Sequence, residues 1–197
     1  MANVVWPQSL CPRSFSLTLN TSMRSFPATF GGSESVTDML TDYWSVSMEI
    51  DSRSGNTAAQ LEALINYLQG GEHTAEFGHF VRPTPSGLLP ATGSLASLAS
   101  QGASTVVLTV PTGSSILAGD YFKVGDLLVQ AQTDASAVGT VLTVPIVNRL
   151  RKSISSGSAV IFDNPTIKFY LDSASSVNQV VGYSGGVSLS FSEYTNG

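Results

Sequence analysis

The sequence predicts a mainly β protein with one α-helix. It reads as a discontinuous, β-sandwich-like outer domain carrying an inserted small β-barrel. Three observations point there. Segments near both ends alternate apolar and hydroxyl side chains with a period of two. One stretch alone has helical periodicity. The middle of the 197-residue chain is a series of short apolar runs separated by Gly-, Ser- and Asp-containing turns.

Composition sets the background. Apolar residues make up 42% and charged residues 12%, the reverse of a disordered chain. The length suits one domain or two small ones. With so few charges, the surface must be covered largely by Ser, Thr, Asn and Gly.

In SFSLTLN, Phe15, Leu17 and Leu19 alternate with Ser14, Ser16, Thr18 and Asn20, which marks a half-buried strand. RSFPATFGGSES breaks the pattern with Pro27 and Gly31-Gly32 and reads as a loop. YWSVSMEI resumes it, with Trp44, Val46, Met48 and Ile50 on one face, and DSRSGN follows as a turn. The period then changes. Ala58, Leu61, Leu64, Ile65 and Leu68 are spaced for a helix over about 57–69, whose apolar stripe should lie on a sheet. Thr57 with Gln60 fits a capping box, and Gly70-Gly71 a helix stop. AEFGHFV, residues 75–81, returns to extended structure before Pro83 and Pro85.

From Pro83 to Gly119 there is no charged residue. The runs TVVLTV, DYFKV, DLLVQAQ, GTVLTVP and GSAVIF then read as strands of the small barrel. ILAGDYFKVGDLLVQAQTD is its central hairpin, with Asp120 and Gly125 setting turns. The uncharged stretch supplies its first strand. Part of 88–105 is expected to be buried against the outer domain or a neighbouring subunit, where charges would be costly. After Asn164-Pro165, TIKFYL opposes Ile167, Phe169 and Leu171 to Lys168 and Tyr170. GVSLSFSEY sets Val187, Leu189 and Phe191 against serines, repeating the texture of SFSLTLN. Like-textured ends around an all-strand middle predict an outer domain of 1–81 plus 164–197 and an inserted domain of 82–163, joined near Arg82 and Asp163.

Charge and cysteine usage exclude several function classes. The net charge of −5 offers no basic footprint for nucleic acid, and Arg149, Arg151 and Lys152 read as a solvated turn. Cys11 is the single cysteine, so no internal disulfide or thiol metal site is expected. MANVVWPQSL lacks the basic start and apolar run of a secretion signal. No stretch approaches the roughly 18 consecutive apolar residues of a membrane span.

No candidate chemistry outweighs its plainer reading. GYSGG, residues 182–186, matches the nucleophile-elbow pattern and would make Ser184 a hydrolase nucleophile. An elbow needs a helix next, whereas a strand follows, and no histidine lies downstream, so a glycine-rich hairpin turn explains the residues better. Glu72, His73, Glu76 and His79 hold metal-ligand types. On a strand, however, the two histidines would stand about 20 Å apart on one face. Asp120, Asp126 and Asp134 sit at turns without a calcium-loop pattern. No catalytic, cofactor or metal site is expected, and the chain does not read as an enzyme.

The order of features nevertheless resembles a family. It runs from Trp6-Pro7 through the SFSLTL-type strand, the FGG loop, YWSVSMEI and the AAQLEALINYLQG helix to EFGHFVRPTPSG leading into the insertion. Its most specific parts are three: Leu68-Gln69-Gly70 before an aromatic strand, Leu117 to Asp120 before an alternating strand and Gly125, and Val144-Pro145 before the basic turn Arg149–Lys152. Over most of its length the chain resembles the distal tail proteins of long-tailed, non-contractile bacteriophages. The resemblance implies a structural component of the virion's tail tip, or baseplate, assembled in the host bacterial cytoplasm. It implies a homo-oligomeric ring, commonly a hexamer, whose outer domain builds the ring and whose inserted domain projects outwards. Partners would be the tail tube protein, the tail hub and the tape measure protein, with DNA passing through the channel unbound in any sequence-specific way. Some relatives carry a large insertion with a carbohydrate-binding module, and the alternative role is such a receptor-binding module. Here the insertion holds only Tyr121, Phe122 and Phe162 as aromatic residues.

Overall fold

A computed structural model describes residues 2–26, 35–69, 71–174, 179–180 and 183–195. The protein is mainly β with a single α-helix among these residues. In chain order, the principal elements begin with β1 (Asn3–Val5), β2 (Ser14–Asn20), β3 (Tyr43–Ile50), the helix α1 (Asn56–Leu68) and β4 (Thr74–Phe77). They continue with β5 (Thr92–Leu95), β6 (Thr105–Thr109), β7 (Tyr121–Val124), β8 (Leu127–Gln130), β9 (Val141–Pro145), β10 (Ala159–Ile161), β11 (Ile167–Ala174) and β12 (Val187–Glu193).

Two six-stranded sheets result. The first has the order β1-β4-β11-β12-β3-β2 and draws its strands from both ends of the chain. The second, β8-β7-β10-β5-β6-β9, draws all its strands from between β4 and β11. It is barrel-like, because its edge strands meet. Ala131 bridges Ile146, and the Val147 amide donates to the Gln130 carbonyl at 2.9 Å.

Period-two alternation explains the first sheet. Trp44, Val46, Met48 and Ile50 are buried along β3, Ile167, Phe169 and Leu171 along β11, and Val187, Leu189 and Phe191 along β12. β12 pairs with β3 over six registered residues, from Val187↔Ile50 to Ser192↔Ser45, so both apolar sets share one face. Leu61, Leu64, Ile65 and Leu68 of α1 close over that face in the same core. Phe15, Leu17 and Leu19 are only half-buried, because β2 is an edge. The barrel-like sheet has its own core around Leu108, Phe122, Val129, Leu142 and Phe162.

Several local expectations are corrected. The capping box does not form: Gly55, at φ +59°, occupies the N-cap with no side-chain bond, and its carbonyl takes the Ala58 and Ala59 amides. The helix therefore begins at Asn56. Gly71, at φ +70°, follows its end, and Gly70 lies outside the described residues. The segment read as a loop around Pro27 carries paired strands at its described ends, Met23–Phe26 with Ser35–Asp38, while Pro27 and Gly31-Gly32 lie outside them. DSRSGN contains a short strand, Arg53–Ser54, paired with Tyr183–Ser184. The extended run at 75–81 ends at Phe77. Beyond it the chain turns, and the His79 ring accepts the amides of Val81 and Arg82 at Nδ1.

The uncharged stretch is buried mainly within its own barrel. Leu95 and Ala99 enter that core, whereas Leu88 and Leu98 are 72% and 62% exposed. Gly102 sits beside the Leu40 side chain. Where the chain enters and leaves this region, the Asn164 amide donates to the Pro83 carbonyl at 2.7 Å.

Candidate functional site

The polar chemistry of the protein converges on the seam between the two sheets. Trp44 of β3 reaches across it. Its indole N–H donates to the Leu128 carbonyl at 2.9 Å, and its ring meets Tyr121 edge-on at 5.7 Å. Tyr121 and Leu128 thus belong to the core of the first sheet although their strands, β7 and β8, lie in the barrel. The Asn148 amide caps the same Leu128 carbonyl at 3.0 Å.

Beside this contact lies a buried ion pair. Arg151 leaves the loop after β9 and forms a two-point pair with Glu193 at the end of β12, the second contact at 3.1 Å. Their side chains are 17% and 3% exposed. Glu193 also accepts the Trp44 amide at 2.9 Å, and Arg151 donates to the Asp42 carbonyl at 2.5 Å. A carboxylate so engaged is held as an acceptor by three donors, one from the backbone of β3 and two from Arg151.

Arg82 closes the other side of the seam. Its guanidinium lies 5.0 Å over the Tyr121 ring and donates to the Gly119 carbonyl at 3.3 Å. Burial pushes the Tyr121 hydroxyl pKa up, against the opposing pull of Arg82. His79 packs between Phe15 and Tyr121, at 4.9 and 5.2 Å. Burial first, and the Arg82 charge second, hold its pKa below the usual imidazole value.

A cleft of about 290 Å³ opens along the seam, lined among others by Lys123, Asp126, Arg151, Lys152, Lys168 and Glu193. Lys152 pairs with Asp126 at 3.0 Å, and Asp126 is held below the usual carboxylate pKa by that hydrogen bond and charge, with Lys123 and Lys168 adding to it.

The residues singled out in the sequence fall apart in space. His73 stacks on Tyr67 at 4.0 Å, remote in role from the His79 stack, so the two histidines serve different packings. Among the described residues no group of three or more His, Cys, Asp or Glu could hold a metal ion. Asp120 is buried and accepts three backbone amides, from Ser86, Gly87 and Leu117. The Leu117 contact, with the Asp120 amide donating to the Leu117 carbonyl at 3.1 Å, closes the turn before β7 as expected; the other two hold the segment leading into the barrel, and Gly125, at φ +60°, sets the β7–β8 turn. Asp134 accepts the Ala118 amide at 2.7 Å. Tyr183-Ser184 is a short strand leading into β12, so the strand–turn–helix elbow required of a Ser184 nucleophile is not formed; Gly182 lies outside the described residues. Of the turn read as solvated, Lys152 is exposed and pairs with exposed Asp126, whereas Arg151 is largely buried in its pair with Glu193. Tyr121, Phe122 and Phe162 are all buried, so the three aromatic rings of 82–163 build cores and present no exposed platform.

The sequence singled out neither Asp42 nor the pairing of Glu193, which it offered only as an acid downstream of Ser184. Glu193 sat in a serine-rich strand where its burial had only one signal: it breaks the hydroxyl run at the strand's end. No protein-family model matches the chain, and no curated protein matches it.

Proposed function

We propose that this chain is a structural subunit of a bacteriophage tail tip. It would assemble through its first sheet into a ring, a hexamer in the resembled family, that joins the tail tube to the host-facing hub and leaves a channel for the tape measure protein and DNA. The order of sequence features suggests the family. One structural observation carries the assembly reading, the open edge at β2.

β2 runs for seven residues, pairs with β3 without a bulge from Ser14↔Glu49 to Asn20↔Tyr43, and has no strand on its other side among the described residues. It contains no charge and no proline. Free edges are normally blunted by charge, proline, bulges or short length. This one has none of those devices, and its apolar side chains are half-buried. At the far end of the same sheet β1 is also an edge, with Val5 72% exposed. Two unlike edges on one sheet suit a head-to-tail contact, which closes into a ring when the rotation allows. The seam supports the reading too, since it ties the barrel to the sheet and would let each subunit enter as one stiff unit. The sugar-binding alternative is weakened by the burial of all three aromatic rings in 82–163.

Light scattering with negative-stain imaging of the full chain tests this. A closed oligomer is expected, lost when Ser16 and Thr18 are both replaced by Lys. A protein that stays monomeric at high concentration, alone and with tail tube protein, would refute it.

A further inference from the structure

We propose that His79 is a proton-operated latch on the chain entering the barrel: a proton taken at Nδ1 releases the Val81 and Arg82 amides and loosens the hold of Arg82 on Tyr121.

Between β4 and the barrel the chain turns at residues 78–83. His79 Nδ1 accepts the Val81 amide at 3.2 Å and the Arg82 amide at 3.1 Å. An imidazole nitrogen accepts only through its lone pair, so this turn requires the neutral ring with its proton on Nε2. A proton at Nδ1 turns that acceptor into a third N–H facing the other two. The acceptor at hand for it is the backbone carbonyl of His79 itself. Val81 is 71% exposed and Arg82 is exposed too, so water takes up the freed amides and opening costs little.

The surroundings set the direction. His79 sits between Phe15 of β2 and Tyr121 of β7, and so between the first sheet and the barrel. Phe15 carries no charge. Tyr121 is engaged by the Arg82 guanidinium, 5.0 Å from its ring centre and 3.4 Å from its hydroxyl. An imidazolium there would repel Arg82 and compete with it for the same ring. The cavity that His79 lines also holds Glu76 and Cys11. Glu76 is engaged by the Asn3 amide at 2.5 Å and the Thr166 hydroxyl at 2.7 Å, and the Cys11 thiol by the Pro12 carbonyl at 3.8 Å. Burial and the Arg82 charge, in that order, hold the folded pKa of His79 below 6.5. The latch is therefore shut at neutral pH and opens as pH falls through the folded value. The Asn164–Pro83 and Trp44–Leu128 hydrogen bonds involve no titrating group, so release is confined to the entry arm and the barrel stays docked.

Long-range ¹H–¹⁵N spectra of the full chain, recorded from about pH 8 to about pH 5, read the His79 ring and the two amides together. The neutral ring should carry its proton on Nε2. As it titrates, the Val81 and Arg82 amide signals should move with the same midpoint, and their protection from hydrogen exchange should fall about three- to tenfold. His73, stacked on Tyr67, is the control, and its titration should leave the two amides alone. His79→Asn keeps a side-chain acceptor but does not titrate, so the amides should lose their pH dependence. Should that variant fail to fold, the wild-type spectra decide alone. A neutral ring protonated on Nδ1, amides indifferent to the titration of His79, or a pH-dependent loss of protection that survives His79→Asn would overturn the proposal.

Discussion

Replacing Arg151 by Ala is the sharpest probe of how the two sheets are joined. The substitution removes both contacts to Glu193 and the hydrogen bond to the Asp42 carbonyl. Glu193 is then left buried, its side chain 3% exposed, with the Trp44 amide as its remaining donor among the described residues. Removing one partner of a buried pair costs about 3–5 kcal/mol, because an uncompensated charge stays behind. Arg151 is itself 17% exposed, so water can partly take its place, and the lower end, about 3 kcal/mol, is expected. For a chain of this length that corresponds to a fall in Tm of roughly 6–12 °C. Urea unfolding followed by tryptophan fluorescence suits the measurement, since Trp44 lies against the pair. Arg13→Ala is the internal control. Its partner is Asp51, the two side chains are 74% and 52% exposed, and its loss should stay below about 1 kcal/mol. The double variant Arg151→Met, Glu193→Met should lose less than the two single variants combined. If Arg151→Ala costs no more than Arg13→Ala, the carboxylate is not stranded in a dry seam and the reasoning fails.

Three further outcomes are expected. His79 has a folded pKa below its unfolded value of 6.5, so the unfolded chain binds the proton more readily. The associated stability is therefore full above pH 6.5 and declines as pH falls through that value towards the folded pKa. His79→Phe should flatten this part of the pH–Tm curve, and an unchanged slope would contradict it. At Gly87 an added Cβ would stand 2.2 Å from the Ser115 carbonyl oxygen and 2.8 Å from the Ile116 Cα, both backbone. Gly87→Ala should thus cost at least about 2 kcal/mol and increase hydrogen exchange across 86–88, whereas wild-type exchange there would refute the clash. Trp44→Phe removes the indole donor to Leu128, but Asn148 still caps that carbonyl, so by chemical denaturation the loss should be only about 1–2 kcal/mol, well short of a stranded buried group.

What could be read from the residues alone was whatever depends on local periodicity. Alternation along YWSVSMEI and VSLSFSE, and the spacing of Leu61, Leu64, Ile65 and Leu68, were enough to name strands, helix and buried faces. In each case the neighbours in sequence are also the neighbours on the element. The like-textured segments SFSLTLN and GVSLSFSEY form β2 and β12, which lie on either side of β3. The seam was not legible. Glu193 and Arg151 are 42 residues apart, and Trp44 and Leu128 are 84 apart. Nothing in either local pattern marks one as the partner of the other. Asp120 does close the turn at Leu117, as aspartates at strand ends often do, but no local pattern shows that its carboxylate also holds Ser86 and Gly87, more than thirty positions away. Buried charge pairing is set by which strands the tertiary fold places side by side. Periodicity reports the face a side chain takes on its own element, and only the packed structure decides what that face meets.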